Sequence, residues 1–305
     1  MSYFTHIFIQ NIIPLSILIG AGILLQRRFQ LDIKTLSKLI FYVFSPAIMF
    51  RTLLESSISA SLFWKILLFF VIFFSLLILV TEIVLRIKWS QKDNGRRVAF
   101  RHSVLFYNSA NYTLPLNQLV FQGNPFAFSV QTVIMVIQTI LPYTYGVYSI
   151  NSHKQSLGKT LKTVFSLPVI YAIPLAVLCN FWEVTPPKPI YMPISYIADG
   201  FIATALITLG AQLGSMTWRF RLTELVWSNS LRLLVSPLIG AMVVWMLGFD
   251  GILADALILS CAVPTALNTV LLAVEFDNEP EYASQTVLSS TVLSMFTVTL
   301  VLYFL

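Results

Sequence analysis

The sequence predicts an all-α membrane protein of ten transmembrane helices, built as two inverted five-helix repeats with broken crossing helices in fourth and ninth place. Three observations predict it. The 305 residues are 57% hydrophobic and only 10% charged, with a mean hydropathy of +0.81. A soluble domain of this size needs far more charge to cover its surface. Apolar runs of bilayer-spanning length recur along the whole chain. Two of these runs are interrupted, one by Asn108-Ser109-Ala110-Asn111-Tyr112-Thr113-Leu114-Pro115 and one by Val263-Pro264-Thr265-Ala266-Leu267-Asn268-Thr269.

Neither interrupted run reads as an ordinary lipid-facing helix. Pro115 and Pro264 each remove a backbone donor and clash with the preceding turn. Unpaired Asn and Thr side chains are costly in hydrocarbon. Broken backbone at bilayer depth survives only where it is buried in protein or lines a wet cavity. Two such breaks, one in each half, are the pattern of a secondary transporter's midplane site.

The spans are expected at about 5–26, 34–54, 62–87, 97–121, 125–150, 161–181, 189–214, 224–247, 251–275 and 281–305, each near the ~20 residues a crossing needs. The first apolar run, Phe8 to Leu25, is too long for a signal-peptide core. It ends in Arg27-Arg28, as a first anchor does. Pro46, Pro168, Pro174, Gly200, Gly210 and Gly214 read as softening residues in the second, sixth and seventh spans. No segment is long and polar enough for a separate soluble domain, so residues 1–305 form one membrane domain. The first repeat covers about 1–150 and the second about 160–305.

Charge gives the orientation. With the N-terminus outside, the inner ends hold Arg27, Arg28, Lys34, Lys38, Arg86, Lys88, Lys92, Arg96, Arg97, Arg101, Lys154, Lys159, Lys162, Arg219 and Arg221. Only Arg51, Lys65 and Lys188 fall outside, and Arg232 lies within a span. A bias of fifteen to three places both termini outside. The formal charge of +6 follows from these clusters and does not signal nucleic acid. Cys179 and Cys261 stand alone in apolar segments and read as small core residues.

A short echo supports the repeat. Phe121-Gln122-Gly123-Asn124-Pro125 precedes Ser129-Val130-Gln131-Thr132-Val133. About 155 residues later, Phe276-Asp277-Asn278-Glu279-Pro280 precedes Ala283-Ser284-Gln285-Thr286-Val287. Five spans is an odd number, so the second copy enters the membrane upside down, and its break meets the first near the bilayer centre.

The breaks carry the candidate substrate-binding residues: Asn108, Asn111, Thr113 and Pro115 in the fourth span, and Pro264, Thr265, Asn268 and Thr269 in the ninth. The half-helix after the first break is expected to begin near Pro115, a residue suited to a first helical position. Its positive end would face the midplane and hold an anion. Gln138 in the fifth span joins them, because an unused Gln is costlier to bury than Ser. The Ser and Thr residues of the tenth span read as helix glue.

Charges at membrane depth need partners. Glu82 and Asp255 lie near span ends and read as snorkelling groups. Arg232 needs Glu224 or a backbone carbonyl. Asp199, beside Gly200, reads either as a site for a co-transported proton or cation, or as a structural carboxylate that caps a helix or pairs with Arg232. His102 reads as a surface or interface histidine. Gln285 is the candidate for a sodium site. The three histidines, His6, His102 and His153, lie far apart, and no metal-ligand spacing or Gly-x-x-x-x-Gly-Lys loop occurs. An enzyme, a cofactor and an ATP-driven pump are therefore not expected.

These motifs resemble the auxin efflux carrier family, which includes plant PIN-type carriers and bacterial organic-anion permeases. Asn108 and Pro115 keep the family's seven-residue Asn-to-Pro spacing in the fourth span, and Gln138 and Tyr143 its five-residue Gln-to-Tyr spacing in the fifth. Val263 to Thr269, followed by Glu275-Phe276, is similar to the ninth-span pattern, with Thr269 in place of a second Pro. Asp199-Gly200 and Gly210 resemble the seventh-span pattern. The resemblance implies a scaffold of spans one, two, six and seven, usually dimeric, and a moving unit of spans three to five and eight to ten. It also implies Asn108 and Gln138 as substrate ligands. About ten residues separate spans five and six, so the chain resembles a bacterial or short-form member.

The expected function is secondary transport of a small organic anion, a carboxylate, across the plasma membrane by alternating access. The expected partners are that anion, a proton or sodium as coupling ion, membrane lipid and a second copy in a homodimer. Two alternatives stay open: a sodium-coupled symporter of the bile-acid type, and a membrane ligand sensor that does not transport.

Overall fold

The computed structural model describes residues 6, 8–55, 60–88, 94–150, 165, 168–216 and 222–305. Lys92, Lys154, Lys159, Lys162, Arg219 and Arg221, on which part of the orientation reading rests, lie outside them, as does His153. So do the side chains of Tyr143, Glu224 and Glu275.

The described residues are helical, with no strand among them. Seven helices are long and apolar enough to cross a membrane. They are α1 (Phe8–Phe29), α2 (Ile33–Glu55), α3 (Ser61–Lys88), α6 (Pro125–Ile150), α8 (Lys188–Ser215), α9 (Leu225–Leu247) and α12 (Pro280–Phe304). The other three expected spans are shorter for definite reasons. The fourth is divided into α4 (Asn94–Leu105) and α5 (Leu114–Val120), and the ninth into α10 (Gly251–Cys261) and α11 (Asn268–Glu275). The sixth is described only from α7 (Val169–Phe181).

The core is apolar, but it also holds polar groups, and the outside is apolar as well. Thr81, Thr132, Thr208, Ser290 and Arg232 are buried, while Trp245 is 81% exposed and Leu24, Leu79, Leu175 and Tyr196 face outward. Such a surface belongs in lipid, where polar groups must be satisfied from within.

The helices bend where prolines require it. Wide π turns at Phe8–Ile12, Ile40–Phe44, Ser109–Thr113 and Leu231–Val235 each end two residues before a proline: Pro14, Pro46, Pro115 and Pro237. A proline in regular helix leaves the carbonyl four residues back unpaired and crowds it. The wider turn lets the N–H groups of Ser45, Leu114 and Ser236 reach five residues back, to Ile40, Ser109 and Leu231. Pro115 therefore lies inside a continuing helix and does not open one.

Glycine has a different role from the softening read in the sequence. Helices α1 and α8 touch backbone to backbone. A Cβ on Gly210 would stand 2.0 Å from the Ile19 carbonyl oxygen, and one on Gly22 2.1 Å from that of Ile207. Gly214, one turn on, would meet Ile23 at 3.0 Å. This is the small-xxx-small spacing that lets membrane helices approach closely. Alongside, α2 is tied to α7 and α8. Asn180 Nδ2 donates to the Leu54 carbonyl at 2.7 Å, the Tyr191 hydroxyl donates to Glu55, and Arg51 pairs with Asp199 at 2.6 Å.

The α5–α6 and α11–α12 turns are built alike. Phe121 N–H donates to Asn117, Gln122 to Leu119 and Gly123 to Gln118. Phe276 donates to Leu272, Asp277 to Val274 and Asn278 to Ala273. Gln122 and Asp277 both adopt positive φ, at 51° and 48°. Ser129 and Ser284 each return their hydroxyl to the opening proline, Pro125 or Pro280, at 2.7 and 2.8 Å. The sequence echo is therefore also an echo of hydrogen bonding.

Because the α1–α8 contact is backbone on backbone, no side-chain rotation relieves an added group there. Gly210→Leu is expected to cost more than the ~3 kcal/mol of ordinary overpacking and to abolish the monodisperse peak of a detergent-solubilised fluorescent fusion. Gly20→Ala, which meets nothing within 4 Å, is expected to elute as wild type. A wild-type profile for Gly210→Leu would refute the close contact.

Candidate functional site

The two breaks meet. Leaving α4, the chain is non-helical through Phe106, Tyr107 and Asn108. Leaving α10, it is non-helical from Ala262 to Leu267. Tyr107 and Thr265 form an antiparallel bridge, in which Asn108 N–H donates to the Pro264 carbonyl and Ala266 N–H to the Phe106 carbonyl, both at 2.9 Å. Each break thus supplies one donor and one acceptor to the other, which answers the demand that buried backbone groups be paired.

Side chains lock the pairing. Thr265 Oγ1 donates to the Ser103 carbonyl at 2.7 Å, and Thr265 N–H donates to Ser290 Oγ at 3.2 Å. Asn108 Oδ1 accepts from Asn111 N–H at 3.1 Å, which makes it the N-cap of the resumed helix. Thr113 Oγ1 donates to the Asn108 carbonyl at 3.0 Å. Gln138 spans the first break, accepting from Tyr107 N–H at 3.4 Å and donating to the Leu105 carbonyl at 3.5 Å. The helix therefore resumes at Ser109, six residues earlier than Pro115 suggested, because Asn108 caps it and the π turn absorbs the proline.

The carbonyl ends of the preceding half-helices are held by Arg232. Its guanidinium donates to the Val104 carbonyl at 3.0 Å and the Cys261 carbonyl at 2.5 Å, and lies 4.6 Å over the Tyr107 ring. The backbone carbonyl that the sequence offered as a partner is present, and the Glu224 side chain lies outside the described residues.

A pocket lies on the crossing, with about 450 Å³ of empty space including its mouth. Tyr107, Asn108, Ser109, Ala110, Asn111, Gln138 and Thr139 line one side, and Ala266, Leu267, Asn268 and Leu271 another. Ser37 of α2 and Gln212 of α8 complete it, and Gln212 Nε2 donates to Ser37 Oγ at 3.2 Å. The pocket lies between the crossing and the end of the bundle that carries Lys34 and Lys38. No Asp, Glu, Lys or Arg lines it among the described residues. Asn108 Nδ2, Asn111 Oδ1 and Gln212 Oε1 are buried without a hydrogen-bond partner among the described residues. Several first-turn amides after the breaks are capped locally: Ser109 N–H donates to the Tyr107 carbonyl, Asn111 N–H to Asn108 Oδ1, Thr269 N–H to the Ala266 carbonyl and Val270 N–H to the Leu267 carbonyl. The lining thus offers neutral donors and acceptors with the positive poles of two helix starts.

Of the sequence-predicted residues, Asn108, Asn111, Gln138 and Asn268 come together in this pocket. Thr113, Pro115, Pro264, Thr265 and Thr269 are not in its lining. The first four build or brace the crossing, and Thr269 is buried beside it. Gln285 is buried in α12, outside the lining. Asp199 pairs with Arg51, not Arg232, and its side chain is 67% exposed. Arg232 is fully buried at the crossing and is already occupied by carbonyls there. His102 is buried, not superficial, with Nε2 at 2.6 Å from Ser149 Oγ and its ring against Phe106. Glu82 is held by Arg101 at 2.5 Å and Arg97 at 3.8 Å, where snorkelling was expected. Gln212 escaped the sequence reading, although the rule that singled out Gln138, an amide in an apolar span, applies equally to it. Ser37 carries no such signal.

Two relatives match parts of the chain. One, from Methanothermobacter thermautotrophicus, is named an uncharacterized transporter and is 27% identical over 138 residues, 45% of each chain. Another, from Rhizobium meliloti, is named "putative malonate transporter" and is 28% identical over 149 residues, 48% of this chain and 46% of the relative. The chain spans about half the length of the curated relatives it matches. The family model described as "Membrane transport protein" matches residues 7–302. With a helical membrane bundle crossed by two paired breaks, and a match over nearly its whole length, the chain belongs to the membrane transport protein family, that of the auxin efflux carriers.

Proposed function

We propose that the protein is a secondary carrier that moves a small organic anion, a carboxylate, across the plasma membrane by alternating access. The observation that carries this reading is the convergence of Asn108, Asn111, Gln138 and Asn268 on one pocket at the crossing. Amides and helix starts bind a carboxylate through N–H donors without a fixed countercharge, so the anion can also leave. Unpartnered Asn108 Nδ2 is the donor free for it, and Asn111 Oδ1 and Gln212 Oε1 suit a hydroxyl or a protonated carboxyl on the same solute. The name of the Rhizobium relative supports a dicarboxylate such as malonate.

In this reading the chain crosses ten times, in two inverted repeats, with both termini outside. The matched α5–α6 and α11–α12 turns and the reciprocal bonds of the crossing support it. Helices α1, α2, α7 and α8 form the scaffold and the remainder moves against it. The pocket then faces inward, since Ser37 and Gln212 lie toward the basic end. Arg51 and Asp199 hold α2 to α8, and the outward position of Asp199 supports a second copy covering that face, because charge at membrane depth faces protein or water. The direct pairing of Asp199 with Arg51 across α2 and α8 favours the structural role for Asp199 over proton coupling.

Hydrogen bonds to a charged group are worth about 1.5–3 kcal/mol. Asn108→Ala and Gln138→Ala are therefore each expected to cut malonate affinity about tenfold or more, read by thermal shift and by uptake into proteoliposomes. Wild-type behaviour in both variants at normal expression would remove the site assignment. Asp199→Asn is expected to keep the wild-type response to an imposed pH gradient while melting slightly lower, as for a part-exposed pair worth about 0–1 kcal/mol. A lost pH response would return Asp199 to the coupling path.

A further inference from the structure

Arg232 is the largest fully buried side chain among the described residues. The ion pairs among those residues use Arg51, Arg96, Arg97 and Arg101, and none reaches Arg232. Burying a cation without a carboxylate is costly, so something else must hold it. What holds it are two helix ends. Val104 and Cys261 lie at the C-terminal ends of α4 and α10, the two half-helices that run into the breaks. Each such end carries free carbonyls and a negative pole of about half a charge. One nitrogen of the guanidinium takes the Val104 carbonyl at 3.0 Å. The other takes the Cys261 carbonyl and Ser236 Oγ, both at 2.5 Å. Ser236 Oγ itself donates to Cys261 at 2.8 Å, which fixes the fork.

Paired half-helix C-terminal ends are the groups that bind a coupling sodium or proton in carriers with broken helices. Here the carbonyls are already taken by a cation that cannot leave. We propose that Arg232 is the resident counter-cation of the crossing: tethered to α9, it fills the place of a mobile cation between the two negative helix ends, so transport needs no bound sodium. A second effect follows from the same geometry. With both negative poles neutralised from behind Tyr107, the poles left facing the pocket are the positive ones at Ser109 and Asn268, which selects for anions.

The transport part of the test rests on the carrier reading, and the melting part does not. Purified wild-type protein is expected to melt at the same temperature in NaCl and in choline chloride at about 150 mM. Arg232→Ala is expected to melt lower by about 5 °C or more in choline, and to regain part of the loss in NaCl or with added methylguanidinium. Arg232→Lys should remain indifferent to sodium. In proteoliposomes, wild-type malonate counterflow should run at equal rates in the two salts. Sodium-dependent melting of wild type, sodium-dependent counterflow, or an Arg232→Ala protein with wild-type melting and no cation response would each overturn the proposal. If Arg232→Ala is lost on solubilisation, the wild-type melting comparison decides in the same two directions. Absence of malonate movement in either salt would count against the carboxylate reading, and the melting comparison would still judge Arg232.

Discussion

Two backbone hydrogen bonds, Asn108 to Pro264 and Ala266 to Phe106, set the terms for the rest of the molecule. Inside a bilayer an unwound segment has no water to turn to, and each orphaned peptide group costs several kcal/mol. Neither break could exist alone at that depth. Each is tolerable because the other presents the complementary edge at the same height. The surrounding polar residues serve that pairing. Thr265 reaches back to Ser103, Ser290 takes the Thr265 amide, and Thr113 holds the Asn108 carbonyl. A mutation that frees one edge strands both, so the crossing is a cooperative unit whose parts do not contribute additively.

The pairing also sorts charge. Four half-helix ends meet at a crossing, two negative and two positive. The negative ends converge on Arg232, deep in the bundle. The positive ends, opened by the Asn108 cap and by Leu267, are directed to the pocket side. The result is a site with no Asp, Glu, Lys or Arg side chain in its walls among the described residues.

Much of this architecture was legible in the sequence. Hydropathy located the seven long helices because lipid exposure acts on every residue of a helix. Pro115, Pro264 and the Asn and Thr residues around them located the breaks, since both residue types are expensive in hydrocarbon. The boundaries were less legible. Pro115 marks the break's neighbourhood, but the π turn before it absorbs the ring, so the helix begins at its cap. Glycine at 210 and 214 signalled smallness without saying whether for bending or for contact, because the deciding neighbour, the Ile19–Ile23 backbone, lies nearly two hundred residues away. Arg51 with Asp199 and Arg232 with Val104 join distant elements in the same way. Sequence logic could say that these charges needed partners, and only the fold could choose them.

The pocket's composition bears on how such a protein moves. Its walls come from two sides: Ser37 and Gln212 from α2 and α8, which the Arg51–Asp199 pair joins, and the remaining lining from the crossing and its neighbour α6. The hydrogen bonds that secure the crossing stay within the crossing and α6, α9 and α12, while Gln212 bonds to Ser37 within its own side. On the proposed reading the boundary between scaffold and moving unit passes through the pocket, where Gln212 Oε1 keeps an unused acceptor. A solute that bridges Gln212 to Asn108 or Asn111 would supply the missing polar contact between the two sides. Occupancy would then change the free-energy difference between inward and outward arrangements, which is the condition for a ligand to drive a conformational change.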